Sequence, residues 1–187
     1  MNPGVIIPTL NEADNIGTLI GRIKEFYRGI NIVVVDDNSV DGTPGIIKEL
    51  MEKYDGIHLV NREKRKGIGA AIVNGFEYCL KCHFDPIITM DGDLSHDPVY
   101  IKDFFKYIGD FDLVLGSRYI SGVRVEGWRF RKLLISKLAN MFVAYLLIKP
   151  IWDFTSGYRC YSANFLNKLD LSSIPTEGYL FQIHMVY

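Results

Sequence analysis

The sequence predicts an α/β chain with a mainly parallel central sheet and helices on both faces. Three observations predict it. Short, continuously apolar runs alternate with stretches of helical periodicity through most of the first 115 residues. The runs lack alternating polar positions, as strands covered on both faces require. Each run ends in polar and turn residues before the next helical period, so successive strands connect by right-handed helical crossovers.

The elements follow in order. Val5-Ile6-Ile7 reads as the first strand. Ile16, Leu19, Ile20, Ile23, Phe26 and Tyr27 recur at three- and four-residue spacing, which is one face of a helix stopped by Gly29. Ile32 to Val35 is the second strand. Thr43-Pro44 reads as an N-cap with Pro at the first helical position; Ile46, Ile47, Leu50, Met51 and Tyr54 form that helix's apolar face, and Gly56 ends it. Ile57 to Val60 is the third strand, and Ile68, Ala71, Ile72, Gly75, Phe76 and Cys79 mark the next helix. Ile87 to Met90 is the fourth strand. Asp97-Pro98 caps a helix carrying Ile101, Phe104, Phe105 and Ile108, and Leu113 to Leu115 is the fifth strand.

Composition narrows the function classes. The chain has 187 residues, 48% hydrophobic and 23% charged, which is globular composition. Lys+Arg 21 against Asp+Glu 22 gives a net charge of -1, so no nucleic-acid partner is expected. Three cysteines cannot form a fully paired disulfide framework, which points to a reducing compartment. Met1-Asn2-Pro3-Gly4 opens almost directly onto a strand, without a signal-peptide pattern. The uncharged apolar run Leu138 to Ile148 is well short of the ~20 residues that a spanning helix needs, although it is long enough to touch a bilayer.

In parallel α/β sheets, ligands bind beyond the carboxyl ends of the strands. The polar residues leaving the strands there are Pro8-Thr9-Leu10-Asn11-Glu12, Asp36-Asp37-Asn38-Ser39, Asp91-Gly92-Asp93 and Gly116-Ser117-Arg118. Asp91 and Asp93, one residue apart on a glycine, can present oxygens to one hard cation. Mg²⁺ or Mn²⁺ takes one or two protein carboxylates and completes its shell with phosphate oxygens and water. Asp36 and Asp37 stand where carboxylates can accept from a base or ribose, while Asp41-Gly42 reads as turn chemistry. Arg62, Lys64, Arg65 and Lys66 precede a helix opening at Gly67, which suits either phosphate or a solvated charged face.

From Gly116 to Lys149 seven basic residues face Glu126 alone, a net of +6, interleaved with Tyr119, Trp128, Phe130, Leu133 and Leu134. Such a stretch suits an anionic membrane surface or a lipid phosphate, with a core helix bearing a basic outer face as the second reading. Cys79 and Cys82 have no second pair, which argues against zinc. The four histidines lack ligand spacing; His96 lies near the acid triplet and could sense it, although a surface-loop residue is the plainer reading.

Taken together, Ile6 to Glu12, Val33 to Thr43 (VVVDDNSVDGT), Met90 to Pro98 (MDGDLSHDP) and Gly116-Ser117-Arg118-Tyr119 resemble the inverting family 2 glycosyltransferases of Rossmann-like GT-A fold. Within them the chain is similar to the dolichyl-phosphate mannose synthases, also through Trp128 to Ser136, Asp153 to Arg159 (DFTSGYR) and Gly178 to Gln182. The resemblance implies transfer of mannose from GDP-mannose to dolichyl (polyprenyl) phosphate with inversion. It implies a donor pocket of Pro8, Leu10, Glu12, Val35, Asp37, Asp91, Gly92 and Asp93, and a metal site of Asp91, Asp93 and Ser95. It places the acceptor phosphate on Arg118, Arg131, Lys132 and Ser136, with Asp91, Asp93 and Arg118 carrying catalysis.

The chain departs from the family pattern at three positions. Relatives often carry an aromatic residue at Leu10, arginine at Lys132 and glutamate at His184. The resemblance further implies a single catalytic domain over residues 1–187 lacking its C-terminal end, peripheral on the cytoplasmic face of a membrane. A membrane-anchoring subunit and a C-terminal membrane region both stay open.

Three rival functions follow from the same residues. A polyprenyl-phosphate glycosyltransferase using UDP-glucose or UDP-GlcNAc shares the motifs. A nucleotidyltransferase needs a glycine-rich basic signature after the first strand, where Thr9 to Asn15 is acidic. A phospho-accepting receiver domain needs its acid pair after the first strand, whereas Asp36-Asp37 follow the second.

Overall fold

The computed structural model describes residues 1–117, 153–176 and 178–186. Arg118, Arg131, Lys132 and Ser136, with the basic and aromatic stretch around them, lie outside the described residues.

The chain begins with β1 (Gly4–Thr9), α1 (Ala13–Phe26), β2 (Asn31–Asp36), α2 (Thr43–Lys53), β3 (Ile57–Asn61), α3 (Ile68–Lys81) and β4 (Ile87–Thr89). A 3₁₀ turn (Pro98–Tyr100) then leads into α4 (Ile101–Tyr107) and β5 (Leu113–Leu115). After the undescribed stretch come β6 (Arg159–Tyr161), α5 (Ala163–Asn167), a second 3₁₀ turn (Leu171–Ser173) and α6 (Gly178–His184).

Among the described residues six strands form one sheet in the order β3-β2-β1-β4-β6-β5. β3, β2, β1 and β4 are mutually parallel, while β6 runs antiparallel to both β4 and β5. All five strands expected from the sequence are present. β6 is an addition, inserted between the fourth and fifth strands. Its three residues are too few to show a period, and one of them is an arginine.

Successive side chains along a strand point to opposite faces, and here both faces are buried. Val5, Ile7, Ile32, Val34, Ile88 and Met90 pack against Ile16, Leu19, Ile20 and Ile23 of α1, Ile47 of α2, and Ile101 and Phe104 of α4. Ile6, Val33, Val35 and Ile87 face the other way, onto Ala71, Ile72, Phe76 and Cys79 of α3 and onto Leu166 and Phe181. Each fully buried isoleucine or leucine contributes ~1.5–3 kcal/mol relative to leaving it exposed.

Two glycines of α3 set how closely that helix approaches its neighbours. A Cβ on Gly75 would lie 2.6 Å from Ile6 Cγ2, and one on Gly69 would lie 2.5 Å from the Thr176 carbonyl oxygen. The start of α3 therefore rests directly on the segment leading into α6.

The helix cap differs from the sequence expectation at one place. Gly42, at φ 97°, is the N-cap of α2, and Thr43 lies one residue inside the helix. The Thr43 hydroxyl serves a neighbouring loop instead, accepting the Glu12 N–H at 2.9 Å and donating to Asp41 Oδ1 at 2.6 Å. Asp97 caps as expected, accepting from Val99 N at 3.0 Å.

Substitution of glycine should separate packing from propensity. Gly75→Ala should lower stability by about 1–3 kcal/mol, because Ile6 is enclosed and cannot retreat. Gly21→Ala in α1 meets nothing within 4 Å and should raise stability by about 0.5–1 kcal/mol. Urea unfolding of the two variants beside the parent measures both signs.

Candidate functional site

The parallel register ends β1, β2 and β4 on one edge, and the polar loops leave there. Thr9 pairs with Asp36 across the β1–β2 ladder, and the Thr9 hydroxyl donates to Asp36 Oδ1 at 2.8 Å. Asp36 also accepts from Ser39 N at 2.8 Å and from Ser39 Oγ at 2.6 Å. With 1% of its surface exposed, Asp36 is a staple of the rim, which corrects its expected contact with a donor.

The loops after β1 and β2 are sewn together further out. Asn11 N donates to Ser39 Oγ at 2.8 Å, and Val40 N donates to Asn11 Oδ1 at 3.0 Å. Asn11 and Asn38 both adopt left-handed backbone, which asparagine tolerates better than most residues. Asp41 Oδ2 accepts from Ala13 N, the first residue of α1, at 2.9 Å, while Oδ1 accepts from Thr43 N at 3.0 Å. One carboxylate thus serves the first residues of two helices. Hydrogen bonding, first from the Thr43 hydroxyl and then from the Ala13 and Thr43 amides, lowers the Asp41 pKa.

Asp37 has a different environment. Its Oδ1 accepts from Arg62 Nη1 at 2.8 Å, and its Oδ2 accepts from Gly67 N at 3.2 Å. Both side chains of this ion pair are less than a tenth exposed. Beside it a groove of about 770 Å³ runs between Asn61–Lys64 and Lys66 on one side and Leu171, Ser172 and Thr176 on the other. A carboxylate has about four acceptor positions, so Asp37 keeps capacity beyond these two bonds. Pro8, Leu10 and Glu12 are half-buried along the same rim, and Val35 is enclosed in the core against α3. Glu12 Oε2 accepts from Asn15 Nδ2 at 2.9 Å.

The acid triplet leaves β4 beside β1. Gly92 is buried, with the Cβ it lacks pointing 3.4 Å from Glu12 Cγ and 3.5 Å from the Pro8 oxygen. Leu94 at φ 64° then reverses the chain, its side chain anchored in the core beneath α1 and α4. Asp93 is exposed, and among the described residues its carboxylate is engaged by Ser95 N, 3.0 Å from Oδ1. Asp91 is half-buried. His96 Nδ1 accepts the Asp91 N–H at 3.0 Å, and His96 Nε2 lies 3.7 Å from Asp91 Oδ2. His96 is thus half-buried against the acid, which corrects its placement as a surface-loop residue. Its ring stacks on Tyr158, with centroids 4.9 Å apart and planes 11° from parallel.

The segment 153–159 closes the site from the β6 side. Gly157 lies so near Asp91 that a Cβ there would stand 2.9 Å from Oδ1. Ser156 Oγ donates to the Gly116 carbonyl at 2.6 Å, which joins this segment to the end of β5. Arg159 is fully buried and donates to the carbonyls of Phe154, Ser156 and Gln182 at 2.6–2.7 Å.

The rim therefore brings together Pro8, Leu10, Glu12, Asp37, Asp91, Gly92, Asp93 and Ser95. The oxygen donors fit a hard divalent cation: Asp93 is exposed, Asp91 is turned to the same loop, and Gly157 leaves the Asp91 carboxylate room. Among the described residues no cluster of three or more His, Cys, Asp or Glu could hold a metal, so a cation on Asp91 and Asp93 would have positions left for phosphate oxygens and water. Reasoning from the sequence missed Gly157 and the Arg62 pairing, and it placed His96 near the acid triplet but preferred the surface-loop reading. For His96 the available signal was its spacing of five residues after Asp91.

Comparison with known proteins agrees with this architecture. The family described as Glycosyl transferase family 2 matches residues 4–169. The polyprenol monophosphomannose synthase of Mycolicibacterium smegmatis is 38% identical over 98% of this chain and 70% of its own length. The undecaprenyl-phosphate mannosyltransferase of Micrococcus luteus is 32% identical over 97% of this chain and 75% of its own. Among solved structures, glucosyl-3-phosphoglycerate synthase from Mycobacterium tuberculosis, with Mn²⁺, UDP and glucosyl-3-phosphoglycerate, superposes at TM-score 0.72 and 21% identity. That match covers 97% of this chain and 62% of the synthase. A Pyrobaculum calidifontis mannosyltransferase with GDP-Man and Mn²⁺ superposes at TM-score 0.62 and 22% identity, over 95% of this chain and 49% of that one. At these identities the structures share the GT-A fold, and only the fold is argued from them.

Asp41 gives this rim a pH dependence. Its folded pKa is lowered, so its contribution to stability is complete above the ordinary carboxyl range and disappears as pH falls through the lowered value. Asp41→Ala should lower the melting temperature at neutral pH and flatten its decline toward acid. Melting curves of both proteins across the acid range test this.

Proposed function

The chain belongs to glycosyl transferase family 2, and from that premise we propose that it transfers mannose from GDP-mannose to a polyprenyl phosphate with inversion. The observation that carries the reading is the acid loop Asp91-Gly92-Asp93 set against Pro8 and Glu12 at the carboxyl edge of a family 2 sheet. The names of the mannosyl-transferring relatives support the sugar and the lipid-phosphate acceptor. The GDP-Man bound by one neighbour of the same fold is consistent with the donor.

In this reading Pro8, Leu10, Glu12 and Asp37 frame the nucleoside, with Asp37 reading donors on the base or ribose; Val35, expected in that pocket from the sequence, is fully enclosed in the core and is corrected to a packing residue. Asp91 and Asp93, with Ser95 beside them, hold a divalent cation, Mg²⁺ or Mn²⁺, next to the diphosphate. When bound, that cation offsets the charge that builds on the departing diphosphate. Asp93, exposed at the tip of the loop, is the carboxylate most open to the donor.

The acceptor needs no enzymatic base. A phosphate monoester has its second pKa near ~6 and is largely dianionic at neutral pH. One of its oxygens forms the new bond to the anomeric carbon as the bond from that carbon to the GDP oxygen breaks. The bonding pair leaves with GDP, and the carbon inverts. Arg118, Arg131, Lys132 and Ser136 are the residues we assign to aligning the acceptor phosphate, a positioning task. Lys132, a point charge, and Arg131, a bidentate fork, are alternatives for the main grip on that phosphate.

We place the enzyme peripherally on the cytoplasmic face of a membrane, where the basic and aromatic stretch meets anionic lipid. Among the described residues no helix is long and apolar enough to cross a bilayer.

The direct test is incubation with radiolabelled GDP-mannose and dolichyl phosphate, with and without chelator. Label should enter the organic phase only when divalent metal is present. Faster transfer from UDP-glucose or UDP-GlcNAc in the same assay would reassign the donor. Asp93→Ala should reduce turnover by about 10²–10⁴-fold, as removal of an electrostatic stabiliser does. Arg118→Ala should raise the KM for lipid phosphate more than the KM for GDP-mannose, and equal losses would remove its acceptor role.

A further inference from the structure

We propose that His96 is a positioning residue which, together with the close approach of Gly157, fixes the Asp91 carboxylate for its divalent cation. The proposal rests on the glycosyltransferase reading above and concerns how the metal loop is held.

Asp91 sits in a slot with two walls. On one wall, His96 Nδ1 accepts the Asp91 N–H at 3.0 Å, which fixes the main chain at the point where β4 ends. A ring nitrogen that accepts a hydrogen bond carries no proton, so in the neutral ring the proton stands on Nε2. That edge faces Asp91 Oδ2 at 3.7 Å, too far for a direct hydrogen bond but near enough to favour one carboxylate orientation. His96 therefore addresses both the backbone and the side chain of the same residue.

His96 is itself restrained. Its ring lies flat on Tyr158, and the edge of Phe104 closes on the other partner of that stack at 4.7 Å. The Tyr158 hydroxyl donates to the Asp97 carbonyl at 3.0 Å, one residue beyond the histidine. An imidazole turning about its own bonds would have to leave this stack.

Gly157 makes the other wall. A Cβ there would stand 2.9 Å from Asp91 Oδ1, 3.2 Å from Oδ2 and 3.3 Å from Cγ. Its carbonyl accepts from the Thr89 hydroxyl at 2.7 Å, so the wall is tied to the strand that carries Asp91. Thr89 is buried. The carboxylate is thus approached by an oriented imidazole and by a backbone with no side chain to push it aside. A ligand held in this way has less freedom to lose when it meets a cation, and partners that orient metal ligands are typically worth 10–100-fold in metal affinity.

The test is Mn²⁺ titration of the purified chain in the presence of GDP, following the electron paramagnetic resonance signal of free Mn²⁺. The variants are His96→Ala, His96→Asn, Gly157→Ala and Asp93→Ala, with melting temperatures recorded without metal. Asparagine places an amide oxygen close to where Nδ1 stands, so it keeps the bond to the Asp91 N–H and gives up any direct contact of Nε2 with metal. His96→Ala and Gly157→Ala should weaken Mn²⁺ binding about 10–100-fold, and His96→Asn should recover most of the loss.

Parental affinity in His96→Ala, or in Gly157→Ala if His96→Ala does not fold, overturns the proposal. So does a loss in His96→Asn equal to that in His96→Ala, which would make Nε2 a ligand. Failure of the parent protein itself to bind Mn²⁺ with GDP would overturn the metal reading of the rim. If instead the parent binds, Asp93→Ala does not and His96→Ala matches the parent, the metal reading stands and the positioning role alone falls.

Discussion

The structure depends on the parallel pairing of β4, β1 and β2 with both faces buried. Strands covered on two sides have no position for a polar side chain along most of their length. Val5, Ile6, Ile7 and Ile32 to Val35 are all fully enclosed. Polar chemistry is therefore expelled to the strand ends. Because the three strands point the same way, their ends fall on a single edge, and the hydrogen bond from Met90 N to the Ile6 carbonyl carries that alignment to the acid loop. The site is a consequence of the register: a slip of one residue would invert every strand side chain and separate Thr9 from Asp36.

Acids that look alike along this edge have different work, and their hydrogen bonds separate them. Asp36 is buried with its oxygens occupied by Thr9 and Ser39, so it secures the loop. Asp41 is exposed and gives its oxygens to the starts of two helices. Asp37 is buried against a guanidinium and a backbone amide, an arrangement that holds a charge in place without exhausting it. Asp91 and Asp93 belong to the loop that reaches beyond the sheet. A rim already sewn by its own residues moves little when a ligand arrives, which keeps the ordering cost of binding low.

Much of this was legible in the chain. Apolar runs and helical periods located five strands and four helices, because their signals are local and repeat. The expectation that ligand residues leave the strand ends found the acid loop and the rim of β1. What stayed hidden is non-local. Arg159-Cys160-Tyr161 forms a strand only because β4 and β5 flank it, and three residues cannot display a period. His96 looked like a loop residue because its partners, Asp91 N and the Tyr158 ring, are set by a turn at Leu94 and by a segment more than 60 residues away. Asp36 resembled Asp37 in sequence and both are buried; only their hydrogen-bond partners, Thr9 and Ser39 for one and Arg62 and Gly67 for the other, distinguish staple from candidate ligand group. Gly157 was visible inside a family motif, but its closeness to Asp91 is a matter of packing.

The buried guanidinium of Arg159 explains why that packing can be relied on. A cation removed from water is costly unless every donor finds an acceptor. Here Nε, Nη1 and Nη2 each donate to a carbonyl, of Ser156, Gln182 and Phe154. Carbonyls from two separate parts of the chain converge on one rigid planar fork. The 153–157 segment therefore cannot drift from α6 without stranding a charge in the interior. The same segment presents Gly157 to Asp91 and Tyr158 to His96. Its position relative to the acid loop is thus fixed from beneath, by a residue that never reaches the rim. The requirement that each nitrogen of a buried guanidinium find an acceptor becomes, two residues away, the requirement that Asp91 keep its place.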